Sequence, residues 1–111
     1  MQSNTQKNNP ANQYDVIVLG AGAAGLMAAI TAASRNRSVL VVEKSNKIGK
    51  KILMSGGGKS NFTNTSIEFD NFISQNPHFC KSALSRYTAF DFIKLVEKHK
   101  IEYEERKDHQ L

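Results

Sequence analysis

The sequence predicts an α/β fold organised around one parallel βαβ unit in residues 14–44. An unbroken apolar run, Val16–Leu19, leads directly into a glycine-rich turn, which is typical of a strand buried on both faces of a parallel sheet. An alanine-rich segment with helical periodicity follows, and a second apolar run, Val39–Val42, comes after it. Because these elements occur in the order that a dinucleotide-binding motif requires, we interpret the chain as part of a Rossmann-like domain.

The turn contains three glycines with different physical roles. Gly20 lets the chain leave the strand in a tight turn, Gly22 removes a side chain where a pyrophosphate approaches, and Gly25 allows close helix packing. A helix that begins here directs its unpaired N–H groups at the ligand, so an anionic diphosphate is the expected occupant. We expect this helix to end within residues 34–37 and to cover the sheet with four residues at helical spacing: Leu26, Ala29, Ile30 and Ala33.

An acidic residue stands at the carboxyl end of the second predicted strand. Glu43 lies 18 residues after Gly25, close to the spacing of about 20 residues expected for a ribose-binding acid. Its carboxylate can accept hydrogen bonds from ribose hydroxyls and would repel a 2′-phosphate, which favours FAD or NAD over NADP. A glycine turn in some other α/β unit is the alternative, but the surrounding strands, helix and acid favour the dinucleotide interpretation.

Length and composition bound the remaining possibilities. The chain has 111 residues, of which 40% are hydrophobic, which fits one modest domain. Residues 1–13 are polar and aperiodic, so we predict a disordered leader there and a dinucleotide-binding region in residues 14–111. No run is long enough to span a membrane and no signal peptide is visible, so we expect a cytoplasmic protein without a membrane partner. The single Cys80 and three scattered histidines predict neither a disulfide nor a metal site.

The formal net charge is +5, and lysines are concentrated after the βαβ unit. Residues 44–67 contain five of them and no acidic residue: Lys44, Lys47, Lys50, Lys51 and Lys59. This pattern fits a solvated basic loop or a positive collar around a bound diphosphate. Aromatic residues are not interleaved with the lysines and no recognition module is visible, so we expect no nucleic-acid partner.

A second motif follows within this basic segment. Residues 48–53 can form one short helical turn, and the three consecutive glycines that come next, Gly56, Gly57 and Gly58, require irregular backbone. Ordering three glycines loses much conformational entropy, so a fold that keeps them usually needs backbone where a side chain would not fit. Next to a cofactor, such a loop would present exposed N–H groups.

The two glycine motifs together resemble the amino-terminal region of the BaiN-like flavoproteins, a family of FAD-dependent oxidoreductases that includes aminoacetone oxidases. The resemblance implies FAD as cofactor, NAD(P)H as a candidate electron donor and an unknown small-molecule substrate for the whole enzyme. It further implies that the pyrophosphate is held by Gly20, Gly22, Ala23, Ala24 and Gly25, that Glu43 and Lys44 flank the adenosine ribose, and that Lys51, Ser55, Gly56, Gly57, Gly58 and Asn61 line the cofactor.

One part of the motif departs from that family. The family usually has Arg-Cys-Asn where this chain has Lys59-Ser60-Asn61, so the planar guanidinium donor and any thiol chemistry are absent at those positions. The sequence Gly58-Lys59-Ser60 also matches the end of an ATP- or GTP-binding phosphate loop. That motif needs a glycine five residues before Gly58, where this chain has Leu53, and an apolar strand ahead of it.

The second half of the chain is predicted to contain two helices and the start of a β-hairpin. Pro77 after an Asn76 cap would begin the first helix, and Thr88 with Asp91 forms a capping-box pattern for the second. The apolar and charged residues of 101–106 alternate, which predicts a half-exposed strand followed by a turn.

Only two convincing parallel strands precede the end of the sequence, whereas a doubly wound sheet needs more. We therefore predict an incomplete Rossmann-like FAD-binding domain, truncated within a larger enzyme. A non-enzymatic remnant is the alternative to a flavoenzyme segment. Substrate-facing groups would come from other parts of such an enzyme, so the catalytic residues are unknown.

Overall fold

A computed structural model describes residues 13–111, which form two compact units divided between Lys59 and Ser60. The predicted leader comprises residues 1–13, of which residues 1–12 lie outside the described residues. Among the residues described, no helix is both long enough and apolar enough to cross a bilayer.

The first unit is built on the predicted parallel βαβ element. Strands β1 (Val16–Leu19) and β2 (Val39–Val42) pair in parallel, with Val16 opposite Val39 and Leu19 opposite Val42. Helix α1 (Ala23–Ser34) connects them and packs on both strands. The order of the three elements and their boundaries agree with the prediction, because each is specified by a local apolar pattern and by the glycine turn.

The face of α1 that covers the sheet differs from the predicted one. Leu26 and Ala29 are partly buried as expected, but Ile30 is 55% exposed and Ala33 is exposed as well. Gly25 and Ala32, on the neighbouring side of the helix, are partly buried instead. The prediction was wrong for Ile30 and Ala33, because the close contact of Gly25 with Gly20 and Val18 turns the neighbouring side of the helix toward the strands.

The opposite face of the two-stranded sheet is exposed. Ile17 is 58% exposed and Leu19 81% exposed, whereas Val16 and Val18, which alternate with them, are partly buried under α1. Alternate side chains of a strand point to opposite faces. Within the described residues, α1 therefore covers one face of the sheet and leaves the other uncovered.

The lysine-rich motif forms a short helix and an irregular turn. Helix α2 spans Lys50–Met54, and a 3₁₀ turn follows at Ser55–Gly58. This agrees with the predicted helical turn followed by irregular glycine backbone.

The second unit contains helices α3 (Lys81–Arg86) and α4 (Ala89–Lys98). The capping box of α4 is confirmed, since the Asp91 N–H donates to the Thr88 hydroxyl (3.2 Å) and the Thr88 N–H donates to the Asp91 carboxylate (2.8 Å). Helix α3 begins later than predicted. The Asn76 side chain accepts a hydrogen bond from the His78 N–H (3.0 Å), but this caps a turn that precedes the helix.

The predicted hairpin start is not formed in the expected way. Residues 101–106 are irregular, and the last residues of the chain pair with residues 62–65 in an antiparallel bridge between Asn64 and Gln110. The Tyr103 hydroxyl donates to a Glu97 carboxylate oxygen (2.9 Å), which ties the segment to α4. The chain does turn back as expected, because the Arg106 N–H donates to the Gln110 carbonyl (2.7 Å), but the partner strand lies elsewhere in the sequence.

Aromatic contacts and a few buried side chains hold the second unit together. The ring of Phe62 makes edge contacts with Phe92 and Tyr103, at centroid distances of 5.7 and 5.4 Å. Cys80 and Val96 are buried, and the cysteine is a free thiol. These contacts give the aromatic residues and Cys80 a packing role.

The cap of α4 provides a test of this fold. Replacing Thr88 with alanine removes the hydroxyl that accepts the Asp91 N–H, so the free energy of unfolding should fall by about 1 kcal/mol. Urea denaturation followed by circular dichroism measures this change. Ser82→Ala, at an exposed position on α3, is the matched control and should change stability by less than about 0.5 kcal/mol. Equal effects of the two substitutions would contradict the capping geometry.

Candidate dinucleotide-binding site

Helix α1 begins where the glycine turn ends, at the carboxyl edge of the sheet. Gly22 is the residue before its first turn, with extended backbone (φ −85°, ψ −172°). The first helical hydrogen bond runs from the Leu26 N–H to the Gly22 carbonyl (2.9 Å). The N–H groups of Ala23, Ala24 and Gly25 precede that bond and have no acceptor within the helix. They form the donor set that suits a diphosphate.

The glycines of the turn are required for different reasons. A Cβ atom added at Gly25 would overlap the Gly20 carbonyl oxygen and lie 3.3 Å from a Val18 methyl group, so close packing of helix on strand excludes a side chain there. A Cβ atom at Gly22 would meet no protein atom within 4 Å. Protein packing therefore does not explain Gly22, and the open space in front of it fits a group that approaches the backbone from outside.

Glu43 lies at the same edge and holds the turn in place. Its carboxylate accepts hydrogen bonds from the Ala21 N–H and the Ser45 N–H, both at 2.8 Å. The donors at Ser45 and Ala21 lower the pKa of Glu43 below its ordinary value. Each carboxylate oxygen can accept a further hydrogen bond, so the acid can bind the turn and a ribose hydroxyl together.

A further structural residue of this edge, Gly49, was missed by sequence reasoning. Its N–H donates to the Ala21 carbonyl (2.7 Å), it is buried, and its φ of +63° lies in the left-handed region that favours glycine. It precedes α2 directly and joins that helix to the glycine turn. A lone glycine before a helical pattern was the available signal, but it did not indicate the tertiary contact.

The other predicted cofactor residues lie after β2, on α2, in the glycine turn that follows α2, and in the second unit. Lys44 and Lys51 are exposed, the latter on α2, and the Ser55 hydroxyl donates to the Ile52 carbonyl (2.8 Å). Positive φ angles of 58°, 65° and 89° at Gly56, Gly57 and Gly58 form a left-handed run. Asn61 belongs to the second unit and is exposed.

The geometry does not support the phosphate-loop alternative. In such a loop a strand leads into the glycines and a helix begins at the lysine and serine. Here helix α2 precedes the glycines, and residues 60–63, from Ser60 onward, are irregular. Across residues 13–111, no group of His, Cys, Asp and Glu side chains has the arrangement of a metal site.

The fold and this site define a dinucleotide-binding unit of the Rossmann class: a parallel βαβ element with a bare glycine turn, an open helix N-terminus and a terminal acid. Residues 14–111 match the HI0933-like protein Rossmann domain family, and the chain belongs to that family. This confirms the predicted fold class and FAD as the cofactor.

Curated relatives refine this assignment. The chain is 52% identical over 99 residues to a ribosomal RNA dihydrouridine synthase of Escherichia coli, and 54% identical over 101 residues to one of Haemophilus influenzae. These matches cover 89% and 90% of the chain but 25% of each relative, so the chain spans about a quarter of their length. A 3-dehydro-bile acid delta(4,6)-reductase of Clostridium scindens is 35% identical over 72 residues, or 63% of the chain and 18% of that relative. The likeness is therefore to FAD-dependent oxidoreductases of this wider family and is not specific to the BaiN-like members.

Two glycine substitutions separate cofactor contact from packing. Gly22→Val adds a side chain where the protein has open space but replaces a favoured N-cap residue, so stability should fall by no more than about 1 kcal/mol while FAD affinity falls about tenfold or more. Gly25→Ala forces an overlap within the protein and should destabilise it by about 1–3 kcal/mol or more. Thermal unfolding measures the change in stability, and flavin fluorescence titration measures the change in FAD affinity. Both use the whole protein encoded by the gene of this chain. A loss of stability in Gly22→Val as large as that in Gly25→Ala would contradict the assigned role.

The Glu43 carboxylate should make this edge sensitive to acid. Because its folded-state pKa lies below the ordinary value of 4.5, its stabilising effect is complete above that pH and is lost as pH falls through the lowered pKa. Glu43→Gln should be less stable at neutral pH and should show a shallower loss of stability below about pH 4.5. Melting temperatures across this range measure the difference. Glu102→Gln, at an exposed position, is the control and should follow the unmodified protein.

Proposed function

We propose that this chain is the FAD-binding segment of a flavin-dependent oxidoreductase that forms dihydrouridine in ribosomal RNA. The observation that carries the proposal is identity of 52% and 54% to two such synthases over about nine-tenths of the chain. The open edge formed by Gly22, the start of α1 and Glu43 supports the cofactor part of the proposal. A cytoplasmic location, as expected from the sequence, belongs to the same proposal.

In this function the chain binds and orients the cofactor. The first N–H groups of α1 hold the diphosphate. The Glu43 carboxylate accepts hydrogen bonds from ribose hydroxyls, and its hydrogen bonds from the Ala21 and Ser45 N–H groups keep it in position. Lys44, Lys51 and the glycine run of Ser55–Gly58 supply further contacts to the cofactor. Bound FAD supplies the two-electron redox chemistry, so the chain itself need not provide a reactive side chain.

The proposed reaction needs an electron donor of a defined class. Dihydrouridine forms when a hydride and a proton add across the C5–C6 double bond of uridine. A reduced nicotinamide, NAD(P)H, is the class of donor that would supply this hydride, and it would leave as the oxidised nicotinamide.

A second candidate is reduction of an unsaturated small molecule, as the name of the Clostridium scindens bile acid reductase indicates for that relative. It is favoured by the glycine-rich motif and by 35% identity to the bile acid reductase. The identity is lower and covers less of the chain than for the two synthases, so we place this candidate second.

Complementation in Escherichia coli tests the proposal. The host strain lacks the Escherichia coli ribosomal RNA dihydrouridine synthase. Two proteins are expressed in it and compared: the whole protein encoded by the gene of this chain, and a graft. The graft is the Escherichia coli synthase with its matching residues replaced by residues 14–111 of this chain. We expect the graft to restore dihydrouridine, measured by mass spectrometry of digested ribosomal RNA, to near the wild-type level. The same graft with Gly22→Val should restore about tenfold less or none.

The outcomes separate the two parts of the proposal. A folded graft that lacks bound FAD would contradict the cofactor role of this chain. A graft that retains FAD but forms no dihydrouridine would contradict the ribosomal RNA substrate and leave the small-molecule candidate.

A further inference from the structure

The charge of the described chain is distributed unevenly between its two units. Residues 13–59 contain seven Lys and Arg side chains and two carboxylates, whereas residues 60–111 contain seven and eight. The net positive charge of residues 13–111 therefore comes entirely from the unit that carries the glycine turn. This surplus is the feature of the structure that the proposed cofactor role does not fully explain.

Most of the surplus lies in residues 44–59, which we call the lysine segment. Its five lysines are all exposed, and none forms an ion pair within residues 13–111: Lys44, Lys47, Lys50, Lys51 and Lys59. The two carboxylates of the unit are engaged by main-chain donors. Asp15 accepts from the Ser38 N–H (2.8 Å), and Glu43 accepts from Ala21 and Ser45. The charge of the lysine segment is therefore not neutralised by its own unit.

Neither local stability nor the cofactor accounts for this charge. Lys50 and Lys51 occupy the first two positions of α2, whose first turn contains no acidic residue, although helix N-termini favour anions. The diphosphate of FAD brings about two negative charges, one for each phosphate. The main-chain N–H groups at the start of α1 already face that diphosphate, and Lys44 and Lys51 are the two lysines assigned to the rest of the cofactor. Three lysines remain for another anion.

We propose that Lys47, Lys50 and Lys59 bind the phosphate backbone of the RNA substrate. The inference rests on the proposed function, because two synthases that match about nine-tenths of this chain act, by name, on ribosomal RNA. Exposed lysines neutralise phosphates and release condensed counterions, which gives affinity without sequence readout. Such contacts position an RNA and need no interleaved aromatic residues. The sequence analysis expected no nucleic-acid partner, partly because such aromatic residues are absent. That absence does not count against phosphate contacts.

Salt-dependent binding tests this surface. The probe is protein-free ribosomal RNA from the Escherichia coli strain that lacks its synthase, titrated with the FAD-loaded protein expressed from its own reading frame. For the Lys47→Glu, Lys50→Glu double variant, the slope of log affinity against log salt should become shallower by about 2, about one for each lysine. FAD absorbance and melting temperature should stay unchanged. Lys94→Glu with Lys98→Glu, on exposed positions of α4, is the charge-matched control and should leave the slope unchanged.

Each other result has a defined meaning. The proposed surface would be overturned by an unchanged slope or by an equal change in the α4 control. Parallel loss of FAD would also overturn it, because these lysines would then belong to the cofactor site. If charge reversal prevents folding, the Lys47→Gln, Lys50→Gln pair removes the same contacts without adding negative charge and should give the same change in slope. Lysine-dependent RNA binding without dihydrouridine formation would support the surface and contradict the proposed reaction.

Discussion

The hydrogen bonds of the Glu43 carboxylate hold together the carboxyl edge of the sheet, where the glycine turn and the candidate site lie. They join the end of β2 to a turn 22 residues earlier, and they satisfy main-chain donors of both segments. Because neighbouring parallel strands end at the same edge of a sheet, one acid after β2 can reach the turn after β1. The Ala21 carbonyl then accepts from Gly49, so α2 is attached to the same point. The start of α1 and the start of α2 are thereby fixed relative to one carboxylate.

This arrangement leaves the sheet only half covered. A strand of parallel sheet is normally buried on both faces, yet Leu19 is 81% exposed and Ile17 58% exposed on the side away from α1. The apolar side chains of Ile17 and Leu19 are therefore available for packing on the uncovered face. The main-chain donors of the site at the sheet edge come from the βαβ unit and α2.

The parts of the fold that could be predicted from sequence are those specified locally. The strand, glycine turn, helix and acid of residues 14–44 were predicted because each has its own pattern and their order is diagnostic, and the cap of Thr88 was predicted because it lies within one helical turn. The pairing of residues 62–65 with the last residues was not, since alternation in residues 101–106 cannot reveal a partner some 45 positions away. The contact between Gly49 and Ala21 was missed for the same reason.

The glycines illustrate why the site itself could be predicted only in part. The sequence alone does not distinguish one glycine from another. The structure divides them into three groups by the atoms that an added Cβ would contact and by the backbone conformation. At Gly25 it would meet protein, and at Gly57 and Gly58 it would meet open space but an unfavourable left-handed backbone. At Gly22 neither reason applies, because the backbone is extended and no protein atom lies within 4 Å. A glycine that neither packing nor conformation requires is best explained by a ligand, and its position at the start of α1 makes that ligand an anion.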